Sequence, residues 1–245
     1  MTYAYRGGFE GLLTAVFEIY ARHDREAELQ NAEEGVCSLW NVTEVLPDRQ
    51  RAGRVFSGLQ KFSSRLPRTL YRAWLSRDPD ADAAVLACIR MAFLQGQNPL
   101  DQKYALPVKQ VCDLAHQVGC EQERMLQFVR FAIHPGGLAV ADIEPCYDLL
   151  PLIANHFCQR FRSQPFAIRD LRHKKTLLWD TRTAEISEDP ALLVPKLPED
   201  KEFALLWKKY FKALAIPERK NLRLQQQFVP LRYRGHLTEM AEDGD

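Results

Sequence analysis

The chain has 245 residues, of which 46% are hydrophobic and 27% charged, a composition that is ordinary for a globular protein and excludes a fibrous or disordered chain. No apolar run approaches the ~20 residues that a membrane helix requires. Residues 1–13 (MTYAYRGGFEGLL) lack the basic and apolar regions of a signal peptide. The six cysteines show neither a CxxC pair nor metal-ligand spacing, so we expect reduced thiols in the cytoplasm, no metal and no cofactor.

The first half of the chain has the periodicity of helices. Residues 2–6 are short and aromatic and predict a strand or an extended arm. The acidic stretch 24–35 is interpreted as a solvated connection, and Gly119 as a helix stop. The predicted helices of this part span residues 9–22, 49–66, 81–95 and 107–118. Pro67 ends the second of these or starts a further helix, which carries Leu70, Tyr71, Trp74 and Leu75.

From about residue 125 the pattern changes to alternation. A β-hairpin is predicted over 128–143, and Asp148 is predicted to cap a helix that runs to about residue 161. Further strands are predicted over 166–171, 176–179 and 185–186. A linker over 187–200 and an amphipathic helix over 202–214 precede a basic tail.

These elements predict an α+β protein in two parts. A mainly helical part is expected over 1–124. The second part, 125–245, is expected to hold a small antiparallel sheet with one covering helix, followed by a C-terminal helix and the basic tail. The two parts could also form one compact unit.

Charges are segregated along the chain, although 33 basic residues nearly cancel 32 acidic ones. Residues 24–48 carry seven carboxylates against one arginine, whereas residues 49–77 carry eight cations and no carboxylate. Residues 158–175 and 207–240 are basic as well, with six and eight cations. Such blocks produce strong local fields with little net charge, which favours anionic partners at particular surfaces.

Within the first basic block, cations follow the apolar positions of the predicted helix at nearly the same spacing. They form a basic ridge that lacks the carboxylates normally found at i,i+4. With Tyr71 and Trp74 nearby, the ridge suits a phosphate backbone, although an acidic protein surface or simple solvation remains an alternative. The predicted nucleic-acid contacts of the ridge are Arg51, Arg54, Lys61 and Arg65.

Enzyme motifs such as GxSxG, HExxH, a Walker loop or GxGxxG do not occur. His156 and Arg160 lie one helical turn apart, either on a solvated face or as a pair that contacts a phosphate or a base. Asp170 opens a polar cluster that is either a hairpin tip in water or an anion site. For an enzyme acting on damaged DNA, His156 is the candidate general acid/base, Asp170 its orienter or a base, and Arg160 an anion contact.

Several segments carry a family resemblance. They are residues 5–18 (YRGGFEGLLTAVFE), 128–131 (FVRF), 143–145 (IEP), 150–161 (LPLIANHFCQRF) and 207–239 (WKKYFKALAIPERKNLRLQQQFVPLRYRGHLTE). Together they resemble a bacterial family of proteins implicated in DNA metabolism and DNA repair, over essentially the whole chain. In that family the gene typically stands beside one for a radical-SAM protein of DNA modification or repair. The same domain also occurs fused ahead of a uracil-DNA glycosylase domain.

The resemblance does not define an activity, but the three basic blocks, together with the gene context and fusions of that family, predict an accessory DNA-binding protein in bacterial DNA repair or modification. Its expected partners are DNA and a radical-SAM enzyme or a glycosylase. Alternatives are a protein-interaction partner of the radical-SAM enzyme without DNA contact, and the enzyme considered above. In the closing segment, arginines suit phosphates, amides suit base edges, and the tyrosine suits stacking on unpaired bases, unless the tail packs back on the domain. The predicted contacts there are Arg219, Asn221, Arg223, Gln225, Arg232 and Tyr233.

Overall fold

A computed structural model describes residues 1–32, 42–133, 137–189 and 229–237, together with residues 209, 223 and 240. The fold is α+β, as predicted. The chain divides into two compact units, Met1–Gly119 and Cys120–Asp245. The sequence-based boundary at residue 124 falls further along the helix that contains both positions.

The first unit contains a three-stranded parallel sheet. Strand β1 (Thr2–Tyr5) is central and pairs with β2 (Glu28–Asn31) and β3 (Val42–Val45). Helix α1 (Gly8–Ala21) is the crossover that returns the chain to the sheet in the same direction. The strand predicted at the N-terminus is confirmed, and its Tyr3, Ala4 and Tyr5 are buried.

The interpretation of residues 24–35 as a solvated connection is wrong, because they contain β2. This strand has the sequence ELQN, in which only Asn31 is buried. Pairing with β1 over a long sequence separation forms the strand, and its own residues show no apolar alternation.

Three helices follow in the first unit. Helix α2 (Arg49–Phe62) is capped by Asp48, whose carboxylate accepts hydrogen bonds from the amides of Gln50 at 2.9 Å and Arg51 at 3.1 Å. Ser63 is extended (φ −165°), so α3 (Arg65–Leu75) is a separate helix and the single helix predicted over 49–66 is wrong at its end. Helix α4 (Ala81–Gln95) and its closure by left-handed Gly96 are confirmed.

Helix α5 (Leu106–Phe128) continues through Gly119. The prediction of a stop at this glycine is therefore wrong. Among the described glycines, those with positive φ are 7, 8, 96 and 137, so Gly119 does not have the left-handed conformation that ends a helix. Buried residues on both sides of it, Val118 and Met125 among them, continue the apolar stripe and hold the helix together.

We expect Gly119→Ala to stabilise the protein by about 0.5–1 kcal/mol, because alanine costs less than glycine inside a helix. A Cβ at this position would lie 3.7 Å from Arg72 Nη1, which is an ordinary contact. Urea unfolding of the variant measures the change. A lower midpoint than that of the natural chain would contradict the continuous helix.

The second unit contains a five-stranded sheet in sequence order. Its strands are β4 (Ala132–Ile133), β5 (Ala139–Ile143), β6 (Phe166–Asp170), β7 (Lys175–Trp179) and β8 (Ala184–Ser187). The predicted hairpin and the three later strands are confirmed, although the first hairpin strand is shorter because α5 extends through Phe128.

The predicted antiparallel sheet is correct for all pairs but one. Strands β5 and β6 are parallel, because α6 (Leu150–Arg160) crosses between them and returns the chain in the same direction. Asp148 does not cap this helix; its carboxylate accepts a hydrogen bond from Lys175 at 2.8 Å. Phe131 packs against Phe157, Phe161 and Phe166 in the core of the unit.

A short helix, α7 (Leu231–Arg234), lies in the closing segment. Of the predicted linker over 187–200, the structure describes residues 187–189. Ser187 is the last residue of β8. The predicted amphipathic helix over 202–214 lies outside the described residues except for Lys209, which is exposed.

Candidate nucleic-acid interface

In the first unit, one face of α2 is basic and open. A shallow groove along the helix is lined by Arg49, Gln50, Gly53, Arg54, Ser57, Gly58 and Lys61. These lining residues include three cations and no carboxylate. From the first to the last, the face extends about 18 Å at a rise of 1.5 Å per residue. We call this surface the α2 face.

The two glycines of the α2 face differ in what surrounds them. A Cβ on Gly58 would lie 3.1 Å from the ring of Phe93, so close packing explains this glycine. A Cβ on Gly53 would meet nothing within 4 Å. A glycine inside an exposed helix costs about 0.5–1 kcal/mol relative to alanine. Packing within the unit therefore does not explain the glycine at position 53. Close approach of a ligand to the helix backbone would explain it.

The predicted ridge of uncompensated cations is only partly correct. Arg51 forms an ion pair with Glu18 of α1 and a second with Asp48 at 3.3 Å, so this cation is compensated. Arg54 lies over the ring of Phe17, 5.1 Å from its centroid, and keeps its charge available at the groove. Arg65 is exposed at the start of α3, and the break at Ser63 separates it from the α2 face.

The aromatic residues near the ridge belong to the interior of the unit. Trp74 is 6% exposed, and its indole N–H donates to Tyr5 Oη at 2.9 Å. Tyr71 stacks on Trp74 at 6.0 Å, and both rings pack against Phe9. These ring contacts pack α1 against α3, so neither Tyr71 nor Trp74 is the free stacking ring that the sequence suggested beside the ridge.

In the second unit, a buried carboxylate organises the closing segment. Glu121 is 2% exposed, and its oxygens accept hydrogen bonds from the amides of Cys146 at 2.9 Å and Tyr147 at 3.1 Å. The hydroxyl of Tyr233 donates to the same carboxylate. Glu121 thus joins α5, the loop after β5 and α7 at one point.

The prediction that Tyr233 stacks on bases does not agree with its surroundings. The residue is 2% exposed, and its ring packs 5.9 Å from that of Phe128. Burial, followed by the adjoining Glu121 carboxylate, raises the pKa of Tyr233, so the phenol stays neutral and acts as a donor. Here the tail packs back on its unit, which is the alternative considered from the sequence.

Arg232 extends from the same helix to the surface. Its guanidinium lies over the ring of Tyr233 at 4.8 Å, 3.6 Å from a Glu121 oxygen, and donates to Cys146 Sγ at 2.9 Å. A second guanidinium, that of Arg172, donates to the same sulfur at 3.7 Å. Two exposed arginines from distant parts of the sequence therefore converge on one thiol.

The candidate catalytic residues have separate surroundings. Asp170 is fully buried; its Oδ1 accepts from the amides of Arg172 and His173, and its Oδ2 lies 2.7 Å from His173 Nδ1. His156 and Arg160 are exposed on α6, and the His156 ring meets that of Phe157 edge-on. Among the contacts of the described residues, none joins Asp170 to His156, so the carboxylate orients His173 instead.

Acidic side chains of the second unit are distributed among different cations. Asp142 holds Arg169 through two hydrogen bonds of 2.6 and 2.8 Å, and Asp148 holds Lys175. Burial acts to lower the pKa of Lys175, but Asp148 and Glu188 outweigh it and raise that pKa.

Within the described ranges, no group of three or more histidine, cysteine or acidic side chains could hold a metal ion. No described helix is long and apolar enough to cross a membrane.

Three of the predicted tail contacts, Arg219, Asn221 and Gln225, lie outside the described residues. Arg223 is described and exposed. Sequence reasoning missed Glu121 and Cys146, because a glutamate in the charged run CEQER and an isolated cysteine look like surface and filler. The position of Glu121 on the apolar stripe of α5, three residues after Val118 and four before Met125, was the available signal.

The comparisons with known proteins give one family. A family model described as a domain of unknown function, DUF4130, matches residues 79–239. The match begins before α4 and includes Glu121, Cys146, Arg172 and Tyr233. No curated protein matches the chain. Since the family model covers well over half of the sequence, the chain belongs to the DUF4130 family.

Proposed function

We propose that the protein is an accessory DNA-binding protein of DNA repair or modification and that the α2 face contacts the phosphate backbone. One observation carries the proposal: the cations of this face, Arg49, Arg54 and Lys61, share an open groove whose lining contains no carboxylate. Nucleic-acid affinity rests mainly on such neutralisation of phosphates by lysine and arginine.

The dimensions of the α2 face support a backbone contact. Its length of about 18 Å corresponds to roughly five base-pair steps of 3.4 Å along a duplex axis, long enough for its three cations to contact separate phosphates. Arginines can hold phosphate oxygens in bidentate geometry, and the lysine adds a point charge. Gly53 lies between Arg49 and Arg54, where a missing side chain lets a phosphate approach the helix closely.

Family membership supports a partner in DNA metabolism. DUF4130 is known to associate with domains that resemble uracil-DNA glycosylases. The chain would hold DNA for such a glycosylase or for a radical-SAM enzyme, each of which would supply the chemistry. This division of labour agrees with the described site, where the candidate catalytic residues His156 and Asp170 do not meet.

Arg54→Ala combined with Lys61→Ala tests the proposal. Removing two phosphate contacts is expected to weaken DNA binding by about tenfold and to make the slope of log K against log salt shallower by about 1 to 2. Binding of labelled single- and double-stranded oligonucleotides at two salt concentrations measures both quantities. The matched control is Lys103→Ala with Lys109→Ala, which removes two exposed lysines elsewhere in the first unit.

Two outcomes separate the alternatives. If the natural chain binds no DNA at low salt, the proposal is wrong. If it binds DNA but the control pair weakens binding as much as the α2 pair, attraction is diffuse and the α2 face is not the site. Co-purification with the radical-SAM protein after nuclease treatment, without any DNA affinity, would instead favour the protein-interaction alternative.

A further inference from the structure

We infer that Arg172 and Arg232 in the second unit form a binding site for a phosphate monoester, positioned above the thiol of Cys146. The two guanidiniums donate to the same Sγ atom, at 3.7 Å from Arg172 and 2.9 Å from Arg232. A single tetrahedral oxyanion placed against that sulfur would reach donors of both arginines. We call these three residues the arginine pair site.

Two buried carboxylates, those of Asp170 and Glu121, hold the backbone segments that carry the two arginines. Asp170 accepts from the amides of Arg172 and His173, which fixes the turn after β6 that carries Arg172. Glu121 accepts from the Tyr233 hydroxyl and from the Cys146 amide, which fixes both α7 and the loop that carries the thiol. The backbone on both sides is therefore set before a ligand arrives, which reduces the entropy lost on binding.

The contacts among the described residues leave donors of both guanidiniums without an acceptor. A guanidinium has five N–H donors, and a thiol sulfur is a weak acceptor. Arg172 is exposed, and the described contact of its guanidinium is this sulfur. The carboxylate that forms an ion pair with Arg232 among the described residues, that of Glu121, already accepts from two amides and the Tyr233 hydroxyl. An oxyanion would therefore supply acceptors that the described residues do not provide to these guanidiniums.

The charge of the site indicates which phosphate it prefers. A phosphate monoester carries about −1.5 to −2 charges at pH 7 and presents three terminal oxygens. Two guanidiniums match this charge and can each bind two oxygens, whereas an internal phosphodiester has one charge and two free oxygens. Under the proposed function, on which this part of the inference rests, the monoester is the phosphorylated end of a DNA strand; a free phosphate has the same chemistry.

Alkylation of Cys146 reports directly on the site, because an anion held by the two arginines would cover the sulfur. We expect iodoacetamide to modify Cys146 about tenfold more slowly at inorganic phosphate tenfold above its Kd, as mapped by peptide mass spectrometry. Protection should be lost in Arg172→Lys and Arg232→Lys, which keep the charge but not the bidentate geometry, and retained in Arg182→Ala, an exposed arginine of the same unit.

A thermal shift with inorganic phosphate, for the natural chain and both lysine variants, gives a second readout that does not depend on thiol reactivity. A short DNA bearing a 5′-phosphate and the same DNA with a 5′-hydroxyl complete the experiment. A larger shift with the 5′-phosphorylated DNA than with the 5′-hydroxyl DNA supports a DNA end as the ligand. A shift with inorganic phosphate that is as large as that with the phosphorylated DNA supports a free anion. Neither protection nor a shift with any of these probes would overturn the site.

Failure of the arginine pair site and failure of the proposed function are distinguishable. Arg54→Ala with Lys61→Ala leaves the second unit unchanged, so protection of Cys146 by phosphate should persist in that variant. If phosphate no longer protected Cys146 in this variant, the protection would reflect net charge rather than an independent site.

Discussion

Glu121→Ala is expected to lower the free energy of unfolding of the second unit by about 3–5 kcal/mol, since hydrogen bonds to a charged group contribute about 1.5–3 kcal/mol each. The substitution leaves the amides of Cys146 and Tyr147 and the hydroxyl of Tyr233 without their acceptor. Tyr233 is 2% exposed, so water does not replace the lost partner without local opening. The closing segment should then detach from α5.

Urea unfolding measures the loss, and hydrogen exchange locates it. Exchange at the amides of Cys146 and Tyr147 should accelerate, while amides of β1 in the first unit should keep their protection. The matched control is Glu123→Ala, an exposed glutamate on the same helix, for which a change within about 0.5 kcal/mol is expected. Equal midpoints for the two variants would show that Glu121 does not hold the segment.

The sequence was sufficient for elements whose burial follows a local period. On α2, Ala52, Val55 and Leu59 are buried as their spacing predicts. The strands of the second unit alternate or form short apolar runs, and β5 shows this directly in its buried Ala139, Ala141 and Ile143. Strands β2 and β3 were not predicted. Strand β2 (ELQN) is polar, and β3 (VTEV) has only four residues without apolar alternation, so both are formed by pairing with β1, which no local pattern records.

The candidate site was less predictable, because its residues acquire their roles from tertiary neighbours. Arg51 looked uncompensated along the chain, but Glu18 approaches it from α1. Tyr233 looked like an exposed aromatic in a basic tail, and only the buried Glu121 shows why its ring points inward. In contrast, Arg54 and Lys61 lie on the open face that their spacing predicted.

Substitution of Gly53 by charged residues should change DNA affinity in opposite directions without damaging the fold. A glutamate here would place a carboxylate between Arg49 and Arg54, where a phosphate is expected to lie. Like charges brought together at an interface cost several kcal/mol, so we expect Gly53→Glu to weaken DNA binding by about 100-fold at low salt. Gly53→Lys should instead strengthen binding and steepen the salt dependence by about 0.9, the contribution of one further phosphate contact.

Stability measurements separate this effect from misfolding. A Cβ at position 53 meets nothing within 4 Å, so Gly53→Ala and Gly53→Glu should be about 0.5–1 kcal/mol more stable than the natural chain. Gly53→Lys should gain less, because the lysine stands four residues after Arg49 and repels it. The matched charge series is Ala83→Glu and Ala83→Lys, at an exposed position on α4. If the α2 face holds the phosphate backbone, the series at position 53 changes affinity far more than the series at position 83. A phosphate bound next to Gly53 responds more strongly to a charge at position 53 than to a charge at the more distant position 83, because salt screens distant charges. Equal effects at both positions would therefore mean that net charge alone governs binding.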